Sequence, residues 1–148
     1  MYNDTVTLFC RCENESGIQW YPKILHNVNL NIDKATIVAK YGAESKDNAV
    51  LNVRYRNVDG KKIIGDKEYL LPKEWRIEGK FDSTLTFSSG QKFDFFYVGT
   101  WENEEPVQDD DYGIDGFYDY MNRKYDLVFA VTSVATYSVI PHFEITGK

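Results

Sequence analysis

The chain has 148 residues, 43% of them hydrophobic and 16% aromatic, and this length fits one globular domain. The aromatic content argues against an intrinsically disordered chain, since such chains are poor in aromatic residues. The net charge of −6 disfavours nonspecific binding to nucleic acid, whose phosphates attract a basic surface.

The N-terminal sequence indicates the compartment in which the chain is made. Residues 1–5 lack the basic and apolar regions of a signal peptide, and no apolar run reaches the roughly 18 residues that cross a bilayer. Cys10 and Cys12 are one residue apart, a spacing at which a disulfide would be badly strained. We therefore expect a soluble protein made in the cytoplasm, with no membrane contact and with both thiols free.

Alternation of apolar and polar residues predicts strands in the first half of the chain. Residues 5–12 place Val6, Leu8, Cys10 and Cys12 on one face. Residues 26–32 and 51–56 alternate in the same way. Between them, Asp33 is a candidate cap for a short helix over residues 34–41, with Gly42 as its stop.

Turn signals and further strands follow in the second half. Residues 57–62 predict a turn, and residues 71–75 predict a tight corner or a single 3₁₀ turn. Residues 84–87 and 92–98 flank Ser88-Ser89-Gly90, which predicts a hairpin because glycine tolerates positive φ. Strands are also predicted over residues 125–132 and 137–145, with an edge or a bulge at Pro141, because proline removes a ladder donor.

These elements indicate the fold class. About seven or eight short strands, spaced by turns, are typical of an antiparallel barrel or sandwich. A helical turn or two is predicted over residues 115–123. The sequence therefore predicts one mainly β domain over residues 1–148, a small antiparallel β-barrel or sandwich with one or two short helices and a long acidic loop.

Residues 101–120, named here the acidic segment, hold eight of the 23 acidic residues and no basic one. Without this segment, 15 acidic residues face 17 basic ones, so the acidity is local. A solvated loop and a docking surface for a basic partner both explain it, and the interleaved aromatic residues favour docking. The predicted interface residues are Glu104, Glu105, Asp109, Asp110, Asp111, Tyr112, Phe117 and Tyr118.

Basic residues gather around one predicted strand and turn. Arg54 and Arg56 are followed by Lys61, Lys62 and Lys67. A solvated strand face explains them; alternatively, this basic group complements the acidic segment of a neighbouring copy, with Arg54 and Arg56 as predicted interface residues. Opposite patches on one small protein suit a head-to-tail contact that closes a ring.

The acidic segment has a faint likeness to a calcium-binding loop. Gly116 occupies the sixth position of an EF-hand pattern, but Gly113 and Asn122 stand at the third and twelfth positions, where ligands belong. Carboxylates near Trp75 or Trp101 are a second alternative, typical of carbohydrate-active proteins, yet nothing singles out two of the acids. The sequence therefore predicts no catalytic residue, no metal site and no cofactor.

Several strings along nearly the whole chain resemble an uncharacterised family of short phage and prophage proteins from Gram-positive bacteria. They are Trp20-Tyr-Pro22, Leu71-Pro-Lys-Glu-Trp75 and Gly116-Phe-Tyr-Asp-Tyr-Met-Asn-Arg123, together with residues 2–9, 25–30, 47–51, 93–96, 109–112 and 140–145. In size and β-rich pattern these proteins are similar to the head-closure (stopper) and tail-completion proteins of long-tailed phages.

The resemblance implies a virion structural protein, specifically a ring-forming head–tail connector without catalytic activity. Its partners would be other virion proteins and further copies of itself, in the cytoplasm of the bacterial host during assembly and then in the virion. DNA would pass through the ring without specific binding, since like charges repel. A tail or baseplate accessory protein and a cation- or carbohydrate-binding β module are the alternatives.

Overall fold

The structure, a computed structural model, describes residues 2–32 and 49–148. The helix expected over residues 34–41 lies outside the described residues. The strands are β1 Asp4–Asn14, β2 Gly17–Ile32, β3 Ala49–Arg54, β4 Arg56–Val58, β5 Lys61–Ile64, β6 Lys67–Tyr69, β7 Thr84–Leu85, β8 Phe95–Val98, β9 Val107–Gln108, β10 Val128–Tyr137 and β11 His142–Gly147. The α-helices are α1 Pro72–Glu78 and α2 Gly116–Lys124, and 3₁₀ turns span Gly90–Lys92 and Asp109–Tyr112.

Six antiparallel strands close a β-barrel. Their order is β1-β8-β10-β11-β3-β2, and β2 pairs back with β1. The β1–β2 hairpin is the longest pairing, running from Asn14 opposite Gly17 to Asp4 opposite Val28. The prediction of a mainly β protein, a small antiparallel barrel or sandwich with one or two short helices, is confirmed: it is a barrel, with two short α-helices among the described residues.

Strand β2 begins nine residues before the strand predicted at residues 26–32. Residues 20–23 are all buried, so no polar position alternates with the apolar ones there. Trp20 packs in the aromatic cluster beneath the acidic segment, while Tyr21 belongs to the main core. Alternation fails as a strand signal wherever both faces of a strand are covered.

The barrel interior is filled by side chains. Strands contribute the buried residues Val6, Leu8, Leu51, Val53, Phe96, Phe129, Phe143 and Ile145, and the connection that includes α1 and β7 contributes Trp75, Leu85 and Phe87. Strand barrels of this small size are usually packed in this way and leave no channel through their own lumen.

Three ionisable side chains that border this core are buried: Lys23, Cys10 and Cys12. Lys23 is 2% exposed, and its ammonium group donates a hydrogen bond to the carbonyl of Phe81. Burial lowers the pKa of Lys23. Cys10 and Cys12 are buried free thiols, as expected, and burial raises the pKa of each.

A second sheet of four short strands, in the order β4-β5-β6-β7, accompanies the barrel. The turn predicted over residues 57–62 is confirmed, because β4 and β5 meet at Asp59 and Gly60, whose φ angles of 53° and 77° suit a two-residue hairpin. The corner predicted over residues 71–75 is a full helix, α1, which ends where Gly79 adopts a φ of 68°. None of the helices among the described residues is long and apolar enough to cross a membrane.

The hairpin predicted over residues 84–98 is wrong. Strand β7 pairs in parallel with β6 in the second sheet, whereas β8 pairs with β1 and β10 in the barrel. The buried carboxyl group of Asp94 explains the separation, because its oxygens accept hydrogen bonds from the backbone N–H groups of Ser88 and Arg11. The loop between β7 and β8 is thereby fastened to β1.

Pro141 lies in a turn and not within a strand as predicted. Strand β10 ends at Tyr137 and β11 begins at His142, so residues 138–141 form the connection. The carbonyl of Pro141 accepts a hydrogen bond from the backbone N–H of Tyr55, at 3.3 Å. Because Pro141 lies in a turn, its lack of a backbone N–H removes no hydrogen bond from a strand ladder.

Candidate functional site

The acidic segment is folded onto the outside of the barrel. It contains β9, which pairs with β2, a 3₁₀ turn and the first half of α2. Phe117 is 0% exposed, and its ring centroid lies 5.0 Å from that of Phe9 and 5.6 Å from that of Trp101. The assignment of Phe117 to an interface was therefore wrong, because its ring is enclosed between the segment and the barrel.

Asp109 holds the segment in place. Its Oδ1 accepts a hydrogen bond from Nε1 of Trp20, at 2.8 Å, and another from the backbone N–H of Phe117, at 2.9 Å. Gly116 has a φ of 87°, and a Cβ there would lie 2.7 Å from Oδ2 of Asp109. Oδ1 of Asp109 is thus engaged inside the molecule, so Asp109 anchors the segment, and its assignment to an interface stays a prediction.

Glu104 is a second internal anchor. Its Oε2 accepts a hydrogen bond from the backbone N–H of Ile24 in β2, at 2.9 Å, and its Oε1 lies 3.6 Å from Nζ of Lys67 in β6. The carboxylate joins the acidic segment to both sheets. Glu104 and Lys67, each expected on a surface that binds a partner, are paired with each other.

Six carboxylates of the segment are exposed and are named here the acidic face: Glu102, Glu105, Asp110, Asp111, Asp115 and Asp119. Asp115 forms an exposed ion pair with Arg123, at 3.4 Å. No described residue forms an ion pair with Asp110 or Asp111. A cluster of like charges on one face produces a negative potential that attracts a basic partner.

The acidic face rests on a base of aromatic rings. The ring of Tyr112 lies 4.7 Å from that of Phe117, and the ring of Tyr118 lies 4.8 Å from that of Phe93. Both tyrosines are half-buried, and burial raises the pKa of each hydroxyl. Their exposed edges, like Glu105, Asp110 and Asp111, remain predicted contact points.

We expect Asp109→Ala to destabilise the protein by about 1–3 kcal/mol, because the indole N–H of Trp20 and the N–H of Phe117 both lose their acceptor. Urea denaturation measures the change. Asp110→Ala is the matched control in the same turn and should stay within about 0.5 kcal/mol, since Asp110 is exposed. Equal effects of the two substitutions would contradict the anchoring role of Asp109.

Arg54 and Arg56 lie at the other end of the barrel. The guanidinium of Arg54 stands 4.0 Å from the ring centroid of Tyr2, and Nη2 of Arg56 donates to the carbonyl of Gly65, at 3.0 Å. Both are exposed, and neither forms an ion pair with a described residue. The two arginines therefore remain a predicted interface.

The two arginines border a cleft of about 440 Å³, named here the basic cleft. Its lining includes the apolar residues Val28, Val53, Tyr55, Ile63, Ile64, Ile140 and Pro141, together with His26, Arg54 and Arg56. Val28 lies eight residues along β2 from Trp20, which carries the acidic segment. At about 3.3 Å per strand residue, this is a chain length of roughly 26 Å along β2 between the residue that holds Asp109 and the cleft.

The described residues show no geometry that supports either a metal site or a carbohydrate site. Among them, no group of three or more His, Cys, Asp or Glu side chains converges as the ligands of a metal ion would. Trp75 is fully buried and so has no face for a sugar, while Trp101 is half-buried against Phe9.

Three features escaped the sequence analysis: the buried Asp94, the basic cleft and the exposed Ile114. Asp94 stands in the polar-looking run before β8, and the cleft is assembled from distant stretches of chain. Ile114 had one local signal, an isoleucine between two glycines in an otherwise polar turn.

Comparison with known families gives one match. A model of a family of unknown function (DUF6751) matches residues 1–148, so the chain belongs to this family. No curated protein and no solved structure matches the chain.

Proposed function

We propose, with this family membership as the premise, that the chain is a structural protein of a phage or prophage virion. In this proposal it is a ring-forming head–tail connector of the head-closure or tail-completion type and has no catalytic activity. It is made in the cytoplasm of the bacterial host, and its partners are other virion proteins and further copies of itself.

The observation that carries the proposal is the placement of exposed carboxylates and of an arginine-bordered cleft on different parts of one barrel. Asp110 of the acidic face lies beside Gly17 at the β1–β2 hairpin end, and Arg54 and Arg56 border the basic cleft, which residues 26–28 line near the other end of β2. Surfaces of opposite sign at two ends favour head-to-tail stacking between like or related subunits. The resemblance to phage and prophage proteins supplies the biological setting.

The packed barrel interior bears on how DNA would pass. Phe96, Phe129 and Phe143 are each at most 1% exposed and fill the lumen. A channel would therefore lie between the copies of a ring, not within one copy. Acidic faces turned toward such a channel would repel DNA phosphates and let the duplex slide.

The direct test uses a phage or induced prophage that encodes the chain. We expect mass spectrometry to find the chain in purified virions, and deletion of its gene to leave heads and tails that electron microscopy shows unjoined. Restoring the wild-type gene should restore joined particles. Virions that lack the chain, or that assemble normally without it, would overturn the proposal.

Reversing two charges tests the acidic face. We expect Asp110→Lys with Asp111→Lys to reduce the yield of joined particles at least about tenfold, because like charges would then meet across the contact. Asp109 is left unchanged because it anchors the segment. The control, Glu74→Lys with Glu78→Lys, makes the same net change on exposed positions of α1 and should assemble normally.

A further inference from the structure

Ile114 is an exposed apolar residue that lies, along the chain, among the carboxylates of the acidic face. It is 102% exposed and stands in the turn that joins the 3₁₀ turn Asp109–Tyr112 to α2. One exposed apolar side chain is ordinary on a protein surface. Ile114 differs because exposed carboxylates flank it in the chain, with Asp111 three residues before it and Asp115 directly after it.

The turn that carries Ile114 has a defined conformation. The carbonyl of Asp110 accepts from the N–H of Gly113, at 3.4 Å, and the carbonyl of Gly113 accepts from the N–H of Gly116, at 3.3 Å. Gly113 and Gly116 have φ angles of 89° and 87°, which glycine adopts without strain. A preformed turn loses little entropy on binding, so Ile114 is suited to insert into a partner.

The basic cleft is chemically complementary to Ile114 and the carboxylates beside it. Its walls are largely apolar, and Arg54 and Arg56 stand at its border. Val139 and Ile140, on the β10–β11 turn, are 96% and 70% exposed, and Ile140 lines the cleft. The cleft therefore offers an apolar floor with cations beside it, whereas the acidic face offers an apolar side chain with anions beside it.

We propose that Ile114 of one copy inserts into the basic cleft of a second copy, with Asp110 and Asp111 facing Arg54 and Arg56 of that copy. Charge complementarity selects a second copy as the occupant. Asp110 lies beside Gly17 at the start of β2, whereas the cleft is lined by residues 26–28 near the other end of that strand, so Asp110 faces away from the cleft of its own copy. Such a contact is head-to-tail and propagates into a ring or a filament.

This inference rests on the proposed function, because it names the partner of the same acidic face. The proposed function and the self-contact can fail separately. If the chain is found in virions but is monomeric in solution at its highest soluble concentration, only the self-contact is overturned. Sedimentation velocity of the purified chain over a wide concentration range is the measurement. We expect reversible association that weakens with added salt.

Substitutions at Ile114 give the first arm of the test. We expect Ile114→Lys to weaken self-association at least about tenfold, because a cation would enter a cleft bordered by arginines, whereas Ile114→Leu should retain it. The matched control is Ile77→Lys on α1, at a side chain that is 84% exposed. Association that is unchanged by Ile114→Lys, or lost equally with Ile77→Lys, overturns the inference.

Mixing two defective variants gives the second arm. The Ile114→Lys variant keeps an intact cleft, and a variant with Arg54→Glu and Arg56→Glu keeps an intact Ile114. We expect each to be monomeric alone and the mixture to form one-to-one dimers that do not extend, as a head-to-tail contact requires. A mixture that stays monomeric, or an arginine variant that still associates alone, overturns the inference.

Discussion

Asp94→Ala is expected to lower the free energy of unfolding by about 2–6 kcal/mol at about pH 4, where the side chain is protonated in the fold, as judged by urea denaturation. The side chain is fully buried, and its oxygens accept hydrogen bonds from the N–H groups of Arg11, at 2.8 Å, and Ser88, at 2.7 Å. Both N–H groups would lose their acceptor, at about 1–3 kcal/mol each. A loss below about 1 kcal/mol would contradict this role.

The same carboxyl makes the stability depend on pH. Burial raises the pKa of Asp94 from 3.8 to about 8, so the folded protein keeps a proton that the unfolded chain has already lost. Proton binding by Asp94 therefore stabilises the fold fully below about pH 4. This stabilisation is lost as the pH rises to about 8, and the free energy of unfolding falls by up to about 1.4 kcal/mol per pH unit.

Asp94→Asn isolates this titration. The amide does not ionise, so we expect the fall in stability between about pH 4 and pH 8 to be smaller in the variant than in the wild type. The control is Asp66→Asn, an exposed carboxyl that should leave the wild-type pH dependence in place. Identical pH dependence in the Asp94→Asn variant and the wild type would refute the assignment.

Phe117→Ala should cost about 3–5 kcal/mol of unfolding free energy, again measured by urea denaturation. The ring is enclosed by Phe9, Trp101 and Tyr112 at centroid distances of 5.0, 5.6 and 4.7 Å, so its removal leaves a cavity and deletes aromatic contacts. We also expect a weaker near-ultraviolet circular dichroism signal, because the packing of the acidic segment loosens.

Ile114→Ala is the matched control for Phe117→Ala, three residues earlier in the same segment. Its side chain is fully exposed, so its removal should change stability by less than about 0.5 kcal/mol. If Phe117→Ala were neutral for stability yet abolished assembly, Phe117 would belong to the docking surface after all.

Local patterns were sufficient to predict the fold class and several strands. The alternation over residues 5–12 predicted β1 and the burial of Cys10 and Cys12, because a period of two is a property of the strand itself. The glycine and aspartate of the β4–β5 turn were likewise recognisable, since a two-residue turn needs positive φ.

Local patterns failed where the partner lies far along the chain. The hairpin over residues 84–98 was wrong because Asp94 hydrogen-bonds to Arg11, 83 residues away. Composition located the acidic segment, but it could not separate anchors from free charges. Asp109 and Glu104 differ from Asp110 and Asp111 because they accept hydrogen bonds from Trp20 and Ile24 of β2. These donors lie 89 and 80 residues away along the chain.

The sequence by itself determined a mainly β chain whose negative charge is gathered in one aromatic-rich stretch, because strand periodicity and net charge are local quantities. The tertiary structure alone decided which of those carboxylates face solvent, that Phe117 is core, and that an apolar cleft bordered by arginines stands at the opposite end of the barrel. Burial and hydrogen bonding depend on which distant strands meet, and this information is spread over the whole chain.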